Sequence, residues 1–198
     1  MPAALAPPVS WAEFERLLDE SGESPSRLSY GDGVLETVAL SAAHELPNRA
    51  LALFVEIAAV EAGMNVLSQG SLTIKREDLR KGVEPDSCYY IQNAQSVWNV
   101  RDFDFEVHPP PDLVIEVDIT NDSRIKFPVF SALRIPEVWR YDGETVAIHV
   151  LKGDAYERST SLAFPGLDGP TLTRFLNDRY MLSNQEWWAR VREWARRR

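Results

Sequence analysis

The chain has 198 residues with 30 acidic against 21 basic side chains, a formal net charge of −9, and is 44% hydrophobic and 26% charged. At about 100–200 residues per domain this is one domain with a real core, and the composition excludes a mostly disordered or collagen-like chain. The negative charge opposes surface-wide binding of nucleic acid, and the single cysteine, Cys88, leaves neither a disulfide framework nor a zinc cluster.

The Pro-rich start has no positively charged n-region, and the longest apolar run, Ala50–Val60, is broken by Glu56. Neither secretion nor membrane spanning is expected, which leaves a cytoplasmic, reducing location. Ser10 with Glu13 three positions on forms a capping box, opening a short amphipathic helix through Trp11, Phe14, Leu17 and Leu18 that packs as a lid. Gly31, Asp32 and Gly33 between apolar positions read as a hairpin over 27–40, with Val34, Glu36 and Val38 on one face. Residues 44–62 carry apolar side chains at helical spacing and stop at Gly63, a natural helix terminator.

Strands are expected at 65–68, 71–74, 87–91 after Pro85-Asp86, and 113–119 after the triple proline Pro109–Pro111, with a charged, aromatic-bearing loop over 94–108. A helix begins near Phe127, because Pro128 is tolerated in a first helical turn, and ends before Pro136. Strands follow at 138–141 and 146–151, with turns at Asp142-Gly143 and Lys152–Asp154. The last segment, 183–198, is an amphipathic helix with Trp187, Trp188, Val191 and Trp194 on its apolar side and Arg190, Arg192, Arg196, Arg197 and Arg198 among its polar positions. Those arginines suit the C-terminal end of a helix and solubility better than phosphate binding.

The strand Leu113–Ile115 is apolar on both faces, yet Asp112, Glu116 and Asp118 fall on one alternating face. Burying an unpaired carboxylate is costly, so such a strand supplies a partner, a metal ion or a water-filled cavity; the plain alternative is a salt bridge or cap at the strand ends. Asp86 stands where a second strand begins, and if the two strands are neighbours Asp86 and Glu116 converge. A hard cation such as Mg²⁺ relieves their repulsion. Lys126 lies close enough in sequence for a tight return to the same strand end. Asp, Glu and Lys together form a phosphodiester-hydrolysis set, with a metal to polarise phosphate and activate water and a lysine to orient that water.

The stretches GVLETVALSAAHE, GVEPDSCYYIQN, PPPDLVIEVDIT and KFPVFSALRIPEVWRYDG resemble the Uma-two family, small bacterial proteins of the restriction-endonuclease-like, PD-(D/E)xK nuclease superfamily. The resemblance covers nearly the whole chain. It implies an α/β fold with a restriction-endonuclease-like core of helix, three strands, helix and strand, plus an N-terminal hairpin and a C-terminal β-hairpin and helix. The expected single domain is 1–198, with its core over 40–145 and an extension over 146–198. It further implies a metal-dependent endonuclease acting on DNA, with Mg²⁺ or Mn²⁺ as cofactor, Asp86, Glu116 and Lys126 as catalytic residues, and Asp86, Glu116 and Asp118 as metal ligands.

The superfamily lysine two places after the glutamate is Asp118 here, and the KFP motif supplies Lys126 in its stead. Asp118 is thereby either a third ligand or a bystander. A tyrosine common four places after that lysine is Phe130, and a glycine before the Pro-Glu pair is Arg134. Glu36 and Glu56 are further candidate carboxylates, His44 is a frequent family histidine equally suited to hydrogen bonding, and Trp98 is a candidate base-stacking residue. Cutting both strands of a duplex needs two sites, so a homodimer is expected, with the aromatic C-terminal helix as the contact. The rival reading is a non-catalytic nucleic-acid-binding or assembly module that kept the fold. Basic residues around an acidic pocket favour the nuclease; a solvated acidic face favours the module.

Overall fold

Two sheets share one chain, and the connection that leaves the first and enters the second carries Asp86. The computed structural model describes residues 8–21, 26–39, 42–119 and 123–197. Helix α1 (Trp11–Ser21) is followed by β1 (Ser26–Gly31), β2 (Val34–Ala39) and the long α2 (Ala42–Glu61). Then come β3 (Leu67–Gly70), β4 (Ile74–Arg76), β5 (Lys81–Val83), β6 (Ser87–Tyr90), the short α3 (Ala94–Val97) and β7 (Leu113–Val117). A 3-10 turn (Ser123–Lys126) runs into α4 (Phe127–Ala132), and β8 (Glu137–Tyr141), β9 (Val146–Lys152), β10 (Ala155–Arg158), α5 (Gly169–Met181) and α6 (Asn184–Arg196) complete the order.

The larger sheet has the order β10-β9-β8-β7-β6-β3, and its β7–β8 pair is parallel, joined by the crossover through α4. Parallel neighbours need such a crossover, whereas the antiparallel β8–β9 and β9–β10 pairs close through turns. Leu113, Ile115 and Val117 of β7 face a core with α2, α5 and α6, while Val114 faces α4 and the smaller sheet with Phe130, Ile74 and Val83. The residues alternating with Leu113 and Ile115 therefore point toward α4.

The smaller sheet has the order β2-β1-β5-β4. Its hairpin turns at Asp32 and Gly33, both with positive φ (50° and 90°), the two-residue turn whose twist matches antiparallel strands. The expected capping contact is present, Glu13 N–H donating to Ser10 Oγ at 3.1 Å, and α1 lays Phe14 in a stack on Tyr30 at 4.8 Å. Gly82 on β5 lets Phe14 approach, since a Cβ there would lie 2.5 Å from the ring.

Several sequence expectations shift. The strand expected at 65–68 forms two residues later as β3, and of 71–74 only Ile74 is in a strand, β4, which belongs to the smaller sheet. β5 and α5 were not anticipated, β10 is the second strand of the expected C-terminal hairpin, and the loop over 94–108 contains α3. β7 stops at Val117, so Asp118 lies just past the strand instead of inside it. The apolar face of α6 is spent within the chain: Trp187, Val191 and Ala195 are buried, and Trp194 packs 5.3 Å from the Phe54 ring of α2. At about 1.5–3 kcal/mol per buried large apolar side chain, these residues hold α6 down and are not open to a second subunit, whereas Trp188, expected on the same face, is 38% exposed. Among the described residues, no helix is long and apolar enough to cross a membrane.

Candidate functional site

The connection between β5 and β6 is only Glu84-Pro85-Asp86, and it is fixed at both ends. Glu84 accepts from Leu28 N–H at 2.9 Å and Thr73 Oγ1 at 3.0 Å, and its own N–H donates to Leu28 O at 2.9 Å. The antiparallel register sets Ser87 opposite Ile115, which puts Asp86, one residue earlier, across from Glu116. Asp86 Oδ2 accepts from Val117 N–H at 2.8 Å and lies 2.8 Å from His44 Nε2. His44 and Asn48 are one turn apart on α2, and Asn48 extends the same anchorage: it donates to Asp86 O at 3.4 Å and accepts from Ser87 Oγ at 2.9 Å.

Glu116 is 2% exposed, and Lys126 Nζ meets its Oε2 at 2.8 Å. The ten-residue return thus closes as the sequence suggested, through the 3-10 turn that ends at Lys126. Glu116 Oε1 is buried with no hydrogen-bond partner. Burial pushes the Glu116 carboxyl up to about 8, with Asp86 and Asp118 acting in the same direction and Lys126 against them. Burial works against the charge on Lys126, but Glu116, Asp86 and Glu36 hold its pKa above the ordinary lysine value. Glu36, the hairpin candidate, therefore lies in electrostatic reach of the site.

Asp118 has a different environment. Its Oδ2 accepts from Ser123 N–H at 2.9 Å and Ser123 Oγ at 3.1 Å, and it pairs with Arg140 Nε. Arg140 stands opposite Glu116 in the parallel β7–β8 register. Sequence reasoning missed it, although an arginine inside the apolar strand Glu137–Tyr141 was a signal of the same kind as Glu116. Asn48 was also missed; only its one-turn spacing from His44 pointed to it.

The remaining carboxylates have ordinary roles. Asp112 is a cap at the strand entrance, accepting from Ile91 N–H at 2.7 Å, Asn93 N–H at 2.9 Å and Asn93 Nδ2 at 2.6 Å. Glu56 takes the Tyr89 hydroxyl at 3.4 Å, on the α2 side of the sheet and away from Glu116. The C-terminal arginines pair within the chain, Arg190 with Asp178, Arg192 and Arg196 with Glu61, and Arg197 with Glu193; Arg198 lies outside the described residues.

Among the described residues no group of three or more His, Cys, Asp or Glu is set to hold a metal ion. The arrangement instead offers two carboxylates, with the unpartnered Glu116 Oε1 as a ready donor. Mg²⁺ suits that donor set, because it is usually bound through one or two carboxylates and keeps several waters. Mn²⁺ accepts the same oxygen ligands.

The sequence matches the Uma2 family, described as "Putative restriction endonuclease", over residues 11–182. The chain belongs to the Uma2 family. A crystal structure from Anabaena variabilis ATCC 29413, described as a "putative nuclease belonging to DUF820", has a TM-score of 0.56 to it at 14% identity, covering 91% of this chain and 99% of that one. At that identity the likeness is one of fold, and the fold is the restriction-endonuclease-like α/β core expected from the Uma2 motifs. A search of curated proteins finds no match.

Proposed function

We propose that this Uma2 protein is a metal-dependent endonuclease that hydrolyses DNA phosphodiester bonds. The observation that carries the reading is Glu116, a buried carboxylate with one oxygen on Lys126 and the other unpartnered, opposite a second carboxylate held in place by His44 and a backbone N–H. Asp86 and Glu116 would hold Mg²⁺ or Mn²⁺. Such an ion supplies Lewis-acid polarisation of the phosphate and a bound water of lowered pKa.

The chain's own residues do the rest. His44 and Val117 N–H fix the rotamer of Asp86, so that its carboxylate is positioned before substrate arrives. Lys126, charged beside Glu116, orients the attacking water and steadies the negative charge that grows on the phosphoryl oxygens. Asp118 in this reading aims Arg140 instead of serving as a third ligand. A homodimer would present two sites to a duplex, through a surface other than the apolar face of α6.

A plasmid-nicking assay with Mg²⁺ or Mn²⁺ tests the reading. Wild-type protein should cut, and Lys126→Ala and Glu116→Ala should each lose at least about 10²-fold in rate. Cleavage retained by either folded variant contradicts the assigned chemistry. No cleavage by the wild type supports the non-catalytic module.

A further inference from the structure

Helix α2 is apolar on more than one side. Its inner side carries His44 and Asn48 to Asp86, and Leu51, Val55 and Ala58 to the core. On the outer side Leu46, Leu53 and Val60 follow one another at seven-residue intervals, Leu46 being 39% and Val60 67% exposed and Leu53 half-buried. Ile57, one turn after Leu53, is half-buried beside them. A helix apolar all round belongs inside a structure, and a seven-residue repeat is the spacing that keeps one seam turned to a facing helix. α6 borders this seam without covering it: its Arg192 and Arg196 hold Glu61, and Trp188, one turn before Arg192, is 38% exposed.

The charges beside the seam say what covers it. Arg49 stands four residues before Leu53 and Glu56 three after it, and at about 100° per residue both fall on the same flank. Arg49 is exposed with no ion pair among the described residues, and there Glu56 accepts only the Tyr89 hydroxyl, at 3.4 Å. Were a second copy of this helix to run parallel, Arg49 would meet Arg49 and Glu56 would meet Glu56. Run antiparallel about a two-fold axis at Leu53, the same flanks meet, and Arg49 of each copy comes within about 1.5 Å along the axis of the partner's Glu56. Leu53 then meets its own copy and Leu46 the partner's Val60. One surface is thereby complementary to itself in charge and in apolar pattern, as a closed two-fold contact requires.

We infer that the outer face of α2 is a homodimer interface, covered by a second copy of this chain packed antiparallel across Leu53 and fixed by two Arg49–Glu56 ion pairs. The inference goes beyond the nuclease reading and does not depend on it. The seam from Leu46 to Val60 is about 21 Å long, so the contact lies at the small end of specific interfaces, and a micromolar equilibrium is expected instead of an obligate dimer. The helix that turns this seam outward turns His44 and Asn48 inward to Asp86, so the contact and the candidate site share one rigid element.

The test is mass against concentration by analytical ultracentrifugation, without metal or DNA, over about 1 μM to 1 mM. The wild type should pass from 22.4 kDa toward twice that mass. Arg49→Glu and Glu56→Arg, both outside the core, should each weaken association about ten-fold, because each sets like charges across the two-fold axis. An equimolar mixture of the two variants should associate as the wild type does, since a heterodimer restores both pairs. Val60→Glu, at an exposed position, should also weaken association about ten-fold. A wild type that stays at 22.4 kDa throughout overturns the interface and leaves the seam to another protein. A dimer indifferent to these substitutions, or a mixture no stronger than either variant alone, overturns it as well. Dimerisation through these residues in a protein that cuts no DNA supports the interface and removes the nuclease reading alone; cutting by a strictly monomeric protein does the reverse.

Discussion

Glu116 and Glu137 sit on neighbouring parallel strands, both inside the protein, and they face opposite sides of the same sheet. Glu137 accepts from Trp139 Nε1, from Leu162 N–H at 2.7 Å and from Ala163 N–H at 3.0 Å, so both its oxygens are engaged. Glu116 has Lys126 on one oxygen and nothing on the other. Burial raises the pKa of both carboxyls. A carboxylate whose oxygens are all occupied ties a loop to a strand; one with a vacant oxygen is costly to the fold and useful to a ligand. Incomplete satisfaction, not burial, separates the candidate active site from the scaffold.

The largest stability effect should come from the scaffold carboxylate. Glu137→Ala leaves an indole and two backbone donors buried without an acceptor, and should cost about 3–5 kcal/mol in urea unfolding. A cost below about 1 kcal/mol would erase the contrast. At the other carboxylate, Glu116→Gln combined with Lys126→Met removes a buried pair together. Stability in the same urea experiment should be unchanged or rise by up to about 4 kcal/mol, while cleavage disappears. Marked destabilisation would make the pair structural. A smaller effect is expected at Asp168, which caps α5 by accepting from Thr171 N–H at 2.9 Å. Asp168→Ala should cost about 1 kcal/mol at neutral pH. The side-chain and backbone hydrogen bonds with Thr171 hold this carboxyl below its ordinary value, so its contribution is present above the unfolded pKa and fades as pH falls through the lower folded one. A pH-independent difference between wild type and variant would show that the charged form is not what caps the helix.

Local chemistry was legible where a residue has few alternatives. Gly63 ends α2 with φ 69°, its N–H donating to Val60 O and Met64 N–H to Ala59 O, a glycine terminator that the sequence announces. Arg134 does the same after α4, with φ 59°, its N–H donating to Ser131 O and Ile135 N–H to Phe130 O, at the position where the Uma2 resemblance expects glycine. Asp86 and Glu116 stand out because each breaks an apolar or Pro-marked pattern, Lys126 because it follows Glu116 closely in the KFP motif of the Uma2 resemblance, and the structure brings them together.

Strand pairing was less legible. β5 is three residues with a glycine in the middle, and it exists because β1 and β4 flank it and Phe14 covers it. Arg140 could not be placed beside Glu116 without the parallel register of β7 and β8. The expected role of Asp118 depended on a strand running to Ile119; the strand ends two residues earlier, where Ser123 and Arg140 reach the carboxylate. α5 did carry a start signal in Asp168-Gly169-Pro170, a cap followed by proline in the first turn.

The central claim is that the vacant oxygen of Glu116, with Asp86, is where a divalent ion binds. Calorimetric titration of Mn²⁺ into wild-type protein and into Asp86→Ala, Glu116→Ala tests it most directly. The account predicts a binding event in the wild type that is absent from the folded double variant. The same binding in both, or none in the wild type, contradicts it.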